Sequence, residues 1–414
     1  MKKKYINYLF FTCVVCYLLI TLIINTIFDS KYLVLGIFGT ELMILILAIF
    51  NCKMIVCLSK TEQMLFAIFI FSQLLMYIVT SAKYDIYFFD VHKLMLCCGM
   101  IGACYICTKK TQCDELFFEK ICNILLVIGI VAIVYNFILN HQFIITTDIN
   151  KIIGHGFYNK SFFSARAAYG TFLNICAIVT LLSIEKKNGL KYWGLYIVFF
   201  LNVLITGARA QIISLFIGTI VFLLHDKKYK YLLITFLGIL FLYLLLTNFS
   251  SFSMLFEKYS YFFDHSVYRT GDDITTGRID LWKIAFENMS VINILFGLGI
   301  GSKDTIMGLV GASHLGQSLS SFHSGYVDLF FETGLLGYLV WGGIIVKVYR
   351  SVYKNCPSKI RNFLFSLLVV FLISNVFDAC NLIFTTDTLS PISSFLIVTL
   401  SNSTANYYRK RECL

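Results

Sequence analysis

Long apolar runs separated by short polar breaks dominate the chain, at approximately 5–28, 33–50, 64–80, 94–107, 121–140, 166–184, 192–205, 210–224, 231–248, 324–346, 362–377 and 391–406. Most approach the ~20 residues that a helix needs to cross ~30 Å of hydrocarbon, and none alternates with the period of two that a membrane β-barrel requires. The pattern predicts an all-α polytopic membrane protein of about 12 transmembrane helices. One polar stretch is long, roughly Phe249 to Ser321. Within it, Arg278 to Asn288 carries apolar residues at Ile279, Trp282 and Phe286, close to helical spacing. That spacing predicts an amphipathic helix on the membrane surface with Trp282 at headgroup level. Four segments follow: N-terminal transmembrane helices (1–140), central helices with arginine-bearing outer loops (141–248), a large extracytoplasmic loop (249–322) and C-terminal helices (323–414).

Composition agrees with this pattern. Of 414 residues, 58% are hydrophobic and only 14% are charged, too few charges for a soluble surface of that size. The formal charge of +11 does not point to nucleic acid, because the basic residues stand in small groups at the ends of apolar runs, as at Lys2 to Lys4, Lys109–Lys110, Lys186–Lys187 and Arg409 to Arg411. Such grouping is an orientation signal. It places both termini in the cytoplasm and the long loop outside. The run after Lys4 is too long for a signal peptide and lacks a small-residue cleavage site, so it reads as a first anchor. Of the 14 cysteines, Cys13, Cys16, Cys97, Cys98, Cys104, Cys122 and Cys176 lie in spans, Cys52, Cys57, Cys113, Cys356 and Cys413 lie in or beside loops assigned to the cytoplasm, and the long polar loop has none, so structural disulfides are not expected. The outer segments hold no Asp-x-Asp pair and no His/Cys cluster, so neither a metal nor another cofactor is expected.

The polar residues at the outer ends of spans carry the candidate chemistry. Phe322-His323-Ser324-Gly325-Tyr326 opens an apolar helix in which Asp328 and Glu332 stand four residues apart on one face. Arg166 and Arg209 lie at the outer mouths of two spans, and Arg278 starts the loop helix. Each has a plain reading: an arginine at a membrane boundary snorkels to headgroups, and a histidine at a helix start bonds a nearby loop. Together they point further. Guanidinium groups suit bidentate contact with a diphosphate, and an imidazole takes a proton from a hydroxyl near neutral pH. Asp328 and Glu332 are placed to orient His323, to neutralise an arginine or to line a sugar site, with Tyr326 and Trp282 as further contacts. Glu41, His155, Asn159, Asp378 and Asp387 are weaker candidates to line the same cavity. Gly297-Leu298-Gly299-Ile300-Gly301 lacks the strand and lysine of a phosphate loop and reads as a flexible or re-entrant turn.

These residues make the chain resemble the O-antigen polymerase and O-antigen ligase superfamily of bacterial membrane glycosyltransferases. His323-Ser324, nine residues, Gly334, two residues and Gly337 fit the ligase-type pattern at each fixed position. Thr206-Gly-Ala-Arg209, Gly277-Arg278 with Trp282, Phe296-Gly-Leu-Gly-Ile-Gly301 and Gly156-Phe-Tyr-Asn159 before Arg166 support it. The resemblance covers roughly residues 150–345. It implies a GT-C-like helical fold in the bacterial plasma (inner) membrane, acting at the outer face on undecaprenyl-diphosphate-linked oligosaccharide without a metal or nucleotide sugar. Arg209, Arg278 and Arg166 would grip the donor diphosphate, and His323 would assist an acceptor hydroxyl, with inversion. Besides the membrane lipids, a chain-length regulator is a candidate partner. The Gly-Arg-x3-Trp helix and the glycine turn look more like polymerases than ligases. A flippase for the same lipid-linked sugars is a further reading, weakened by a polar load concentrated at the outer surface rather than along a path through the bilayer. A non-catalytic scaffold would tolerate loss of Arg209, Arg278 and His323 together.

Overall fold

The computed structural model describes residues 58–84, 91–145, 160–163, 165–187, 190–225, 278–287, 289–303, 313–314, 317–318, 322–378, 382–384 and 389–412. These residues are mainly helical, with one short antiparallel pair of strands, β1 (Ser313–His314) and β2 (Gln317–Ser318). In chain order, α1 is Lys60–Tyr84, α2 Val91–Ile101, α3 Glu115–Ile145, α4 Arg166–Lys187, α5 Leu190–Ile205 and α6 Arg209–His225. Then come α7 Arg278–Glu287, α8 Val291–Phe296, α9 Gly325–Asn355, α10 Ser358–Phe377, α11 Ser390–Ser394 and α12 Ser401–Glu412. Among the described residues, α1, α3, α4, α9 and α10 are long and apolar enough to cross a membrane. Helices α5 and α6 are apolar but shorter, at 16 and 17 residues. The expected spans at 5–28, 33–50 and 231–248 lie outside the described residues, as do Glu41, His155, Asn159, Gly277 and Asp387.

Two expected spans change helix type along their length. The run at 94–107 is α-helical to Ile101, widens to a π-helix over Gly102–Ile106 and tightens to a 3-10 turn over Cys107–Lys110. The run at 391–406 passes from α11 through a π-helix at Phe395–Leu400 into α12. A change of helix type disturbs the regular i to i−4 ladder and leaves carbonyls for other donors. Here the facing element supplies them: Thr399 Oγ1 donates to the Cys104 carbonyl at 3.5 Å, and Asn406 Nδ2 donates to the carbonyls of Thr108, Lys109 and Thr111. The periodicity of apolar residues carries no sign of this, because π and α turns bury the same kinds of side chain.

The chain divides into two compact units, one comprising residues 1–118, 277–356 and 375–414, the other residues 119–276 and 357–374. In the first, α9 is the central element, contacting α1, α7, α8 and α12. Its C-terminal half is tied to α1 by one carboxylate. Glu62 of α1 accepts hydrogen bonds from Ser59 N (2.7 Å), Ser59 Oγ (2.8 Å), Tyr105 OH (2.5 Å) and Lys109 Nζ (2.7 Å), and Lys347 Nζ of α9 lies 3.2 Å away. An ionisable group within a span needs such partners. In the second unit, α4 packs on α5 and α6. Close approach there depends on glycine: a Cβ at Gly129 would stand 2.7 Å from Cys176 Sγ, and one at Gly218 would stand 2.4 Å from Val370 Cγ2. Without a hydrophobic force between helices in lipid, such small-residue contacts are what association rests on.

Candidate functional site at the start of α9

His323 is exposed and lies just before α9 with φ of 52°, a left-handed conformation that is uncommon for a residue with a Cβ. A conformation of this kind costs on the order of 1–3 kcal/mol and persists only where the surroundings hold it. Its neighbours are held at every backbone group for which a bond is described. The Phe322 N–H donates to Asp328 Oδ1 at 2.9 Å, and the Phe322 carbonyl accepts from Trp282 Nε1 at 2.9 Å. The Ser324 hydroxyl caps α9, accepting from Val327 N at 3.5 Å and donating to the Asn375 carbonyl at 3.4 Å. Gly325 N donates to the Asp378 carbonyl at 3.1 Å. Trp282, expected at the headgroups, thus has its indole N–H bonded to the backbone beside the imidazole. The helix that carries it, α7, starts at Arg278 as the apolar spacing predicted, and Phe286 of α7 meets Phe330 of α9 with ring centroids 5.6 Å apart.

A break in α9 makes the second layer of the site. Gly334 has φ of 62° and ψ of −162°, outside the helical region. The carbonyls of Phe331 and Glu332, which a continuous helix would use internally, turn outward and accept from Leu298 N and Gly299 N, both at 2.9 Å. The segment that reaches them is the glycine-rich turn. Gly297, Gly299 and Gly301 all have positive φ, so this backbone is closed to ordinary side chains. Gly334 is nine residues beyond Gly325, about 14 Å along the helix. The turn therefore re-enters the protein beside the break in α9, its backbone bonded there to that of the helix.

Irregular backbone buried in a protein requires internal partners, and the turn has them. Gln73 Nε2 donates to the Phe296 carbonyl at 2.9 Å and Thr80 Oγ1 to the Leu298 carbonyl at 2.6 Å. Asn293 Nδ2 donates to the Gly297 carbonyl at 3.1 Å and Ser302 Oγ to that of Gly299 at 2.6 Å. Gln73 and Thr80 were not picked out from the sequence. Their signal is two polar residues seven apart, hence on one face, in an otherwise apolar span.

Both carboxylates of α9 face this turn. Glu332 Oε1 accepts from Gly301 N at 3.1 Å. Asp328 Oδ2 accepts from Lys303 Nζ at 2.8 Å, with side chains only 6% and 12% exposed, while Oδ1 holds Phe322. Of the expected roles, pairing with an arginine is replaced in this contact by a lysine that the sequence reading left among the basic residues of the loop. Tyr326 stacks edge-on with Trp341 at 6.1 Å, and its carbonyl accepts from Tyr338 OH at 2.6 Å. Among the described residues no group of three or more His, Cys, Asp or Glu is placed to hold a metal.

Arg166 and Arg209 belong to the second unit, and His323, Arg278, Trp282, Tyr326, Asp328 and Glu332 to the first. Arg209 opens α6 after the turn Thr206–Gly207, in which Gly207 has φ of 64° and Ala208 N donates to Thr206 Oγ1 at 3.2 Å. Arg166 opens α4. The N-terminal halves of these two helices are cross-linked: Thr171 Oγ1 donates to Gln211 Oε1 at 2.9 Å, and Asn174 Nδ2 donates to the Gln211 carbonyl and to Ser214 Oγ, each at 2.9 Å. Both half-buried arginines thus stand at the same end of the unit, where the positive poles of two helices add to their charge. Gln211→Leu removes the fully buried acceptor of Thr171. It is expected to cost about 1–3 kcal/mol, read as a lower unfolding temperature of the detergent-solubilised protein.

No curated protein matches the chain. The O-antigen ligase family model matches residues 194–342. That stretch contains the Arg209 turn, α7, the glycine turn and His323 through Gly337; Arg166 falls outside it. Over residues 194–342, the chain is similar to the O-antigen ligase family.

Proposed function

We propose that the protein polymerises lipid-linked oligosaccharide repeat units of an O-antigen, capsule or exopolysaccharide at the outer face of the bacterial plasma membrane, with both termini cytoplasmic. The fold in this reading is GT-C-like with about 12 spans. The donor is a glycan on undecaprenyl diphosphate. An acceptor sugar hydroxyl attacks the anomeric carbon, the bond from that carbon to the diphosphate oxygen breaks, and undecaprenyl diphosphate leaves with the electron pair. His323 takes the hydroxyl proton, and attack from the face opposite the leaving group inverts the centre. Arg209 and Arg278, with Arg166, hold the diphosphate and offset the charge that grows on it. Because the leaving group is a good one, placement and charge stabilisation supply most of the acceleration.

The observation that carries this reading is His323 itself, exposed, held in a left-handed backbone conformation, and standing at the head of the glycine-broken helix inside the family match. His323→Ala is expected to lower turnover by about 10²–10⁴-fold, the range for losing a general base. The check is electrophoresis of surface polysaccharide from a deletion strain complemented with either form, with the membrane content of both verified. Full-length polymer from the His323→Ala strain would end the assignment.

A second reading is a ligase that transfers finished polymer to lipid A-core, since the matched family covers both polymerases and ligases. The same gels separate the two. Core capped by a single repeat in the deletion strain is the polymerase outcome; uncapped core beside free long polymer is the ligase outcome.

A further inference from the structure

We infer that Lys303 is a positioning residue for His323, acting through Asp328; the inference rests on the catalytic reading of His323 given above. Three observations meet here. Lys303 follows directly on the re-entrant turn, whose Ser302 is bonded back to Gly299. Its ammonium, largely shielded from water, fixes one oxygen of Asp328 at 2.8 Å. The other oxygen of the same carboxylate receives the Phe322 N–H, one residue before the left-handed His323.

A carboxylate rotates about its terminal torsion unless both oxygens are engaged. The Lys303 contact therefore sets where Oδ1 stands, and Oδ1 sets the peptide from which the imidazole projects. Asp328 is one helical turn into α9 and cannot follow the loop unaided. The lysine ties it to the turn, which is itself pinned to the broken part of α9 by Leu298 N, Gly299 N and Gly301 N. The result is a closed circuit running from α9 to the glycine turn, to Lys303, to Asp328 and to the residue before His323. A lysine serving only as a neutralising charge would not need this connection. A positioning role makes the circuit matter for the chemical step, where a misplacement of about 1 Å costs on the order of 10²-fold.

The test uses purified full-length protein in detergent, with lipid-linked repeat extracted from a strain lacking the protein as both donor and acceptor. Lys303→Met combined with Asp328→Asn leaves no stranded charge and keeps an oxygen for Phe322. It is expected to lower kcat by about 10²-fold with KM within about twofold. Asp328→Glu keeps the ion pair but moves the acceptor by one methylene, and is expected to give a similar loss with an unchanged unfolding temperature. Placed on His323→Ala, neither change is expected to lower the residual rate further, because residues acting through one group are not additive. Wild-type kcat in either folded variant, or the same fold-loss in both backgrounds, would overturn the inference. Full activity of His323→Ala alone would instead overturn the catalytic reading on which it rests.

Discussion

Gly334→Ala is expected to yield no monodisperse, folded protein. The added Cβ would stand 2.5 Å from Gly297 N, 2.6 Å from Leu295 C and 2.7 Å from the Leu295 carbonyl oxygen, all of them backbone atoms that cannot swing aside. The residue would also carry its side chain at φ of 62°. Overpacking of a filled interior costs about 1–3 kcal/mol and the left-handed backbone about 1–2 kcal/mol more. Relief by straightening α9 would withdraw the Phe331 and Glu332 carbonyls from Leu298 N and Gly299 N, leaving two buried donors unpaired. Every route is expensive. Gly297→Ala meets the same barrier from the other side, its Cβ falling 2.1 Å from the Glu332 carbonyl oxygen. Fluorescence-detected size exclusion of tagged protein would read both. A symmetric peak at the wild-type position for Gly334→Ala would show that the two backbones are not in contact.

Asp328→Leu is the next largest effect expected, and it separates stability from catalysis. The change removes the carboxylate that the largely buried Lys303 ammonium pairs with, and breaking a buried pair from one side costs about 3–5 kcal/mol. Replacing both partners by apolar residues, as in Asp328→Leu with Lys303→Met, removes the stranded charge and often restores or improves stability. Thermal unfolding in detergent should therefore rank wild type and the double variant together, with the single variant well below. The double variant still lacks an acceptor for Phe322 N, so its recovered stability should not bring back activity. A single variant as stable as wild type would mean that Lys303 reaches water.

α9, its histidine and its two carboxylates are legible in the sequence because each is a departure from an apolar run, and departures are easy to see. The Thr206–Gly207 turn that starts α6 is legible too, since a polar break followed by arginine marks a span boundary. Along the sequence, the Phe296 to Gly301 glycines and the Gly334 to Gly337 glycines stand as two motifs. Their meaning is joint: the backbones touch, and contact between positions 37 residues apart leaves no trace in spacing along one chain. Lys303 was missed for a related reason. One lysine in a loop of mixed charge looks solvated until a partner is known. The π-helical stretches at Gly102–Ile106 and Phe395–Leu400 were illegible because hydropathy reports burial and not the hydrogen-bonding partner of each carbonyl.

The bonds from Gln73 and Thr80 to the re-entrant turn bear on how the molecule can be divided. The turn lies inside the recognisable family segment, and α1 lies outside it. A chimera that joined residues 194–342 to the leading helices of a relative would succeed or fail on whether the transplanted counterpart of α1 offers an amide and a hydroxyl two turns apart. With leucines there, two carbonyls would face hydrocarbon, and the graft would be rejected before any sugar was offered to it.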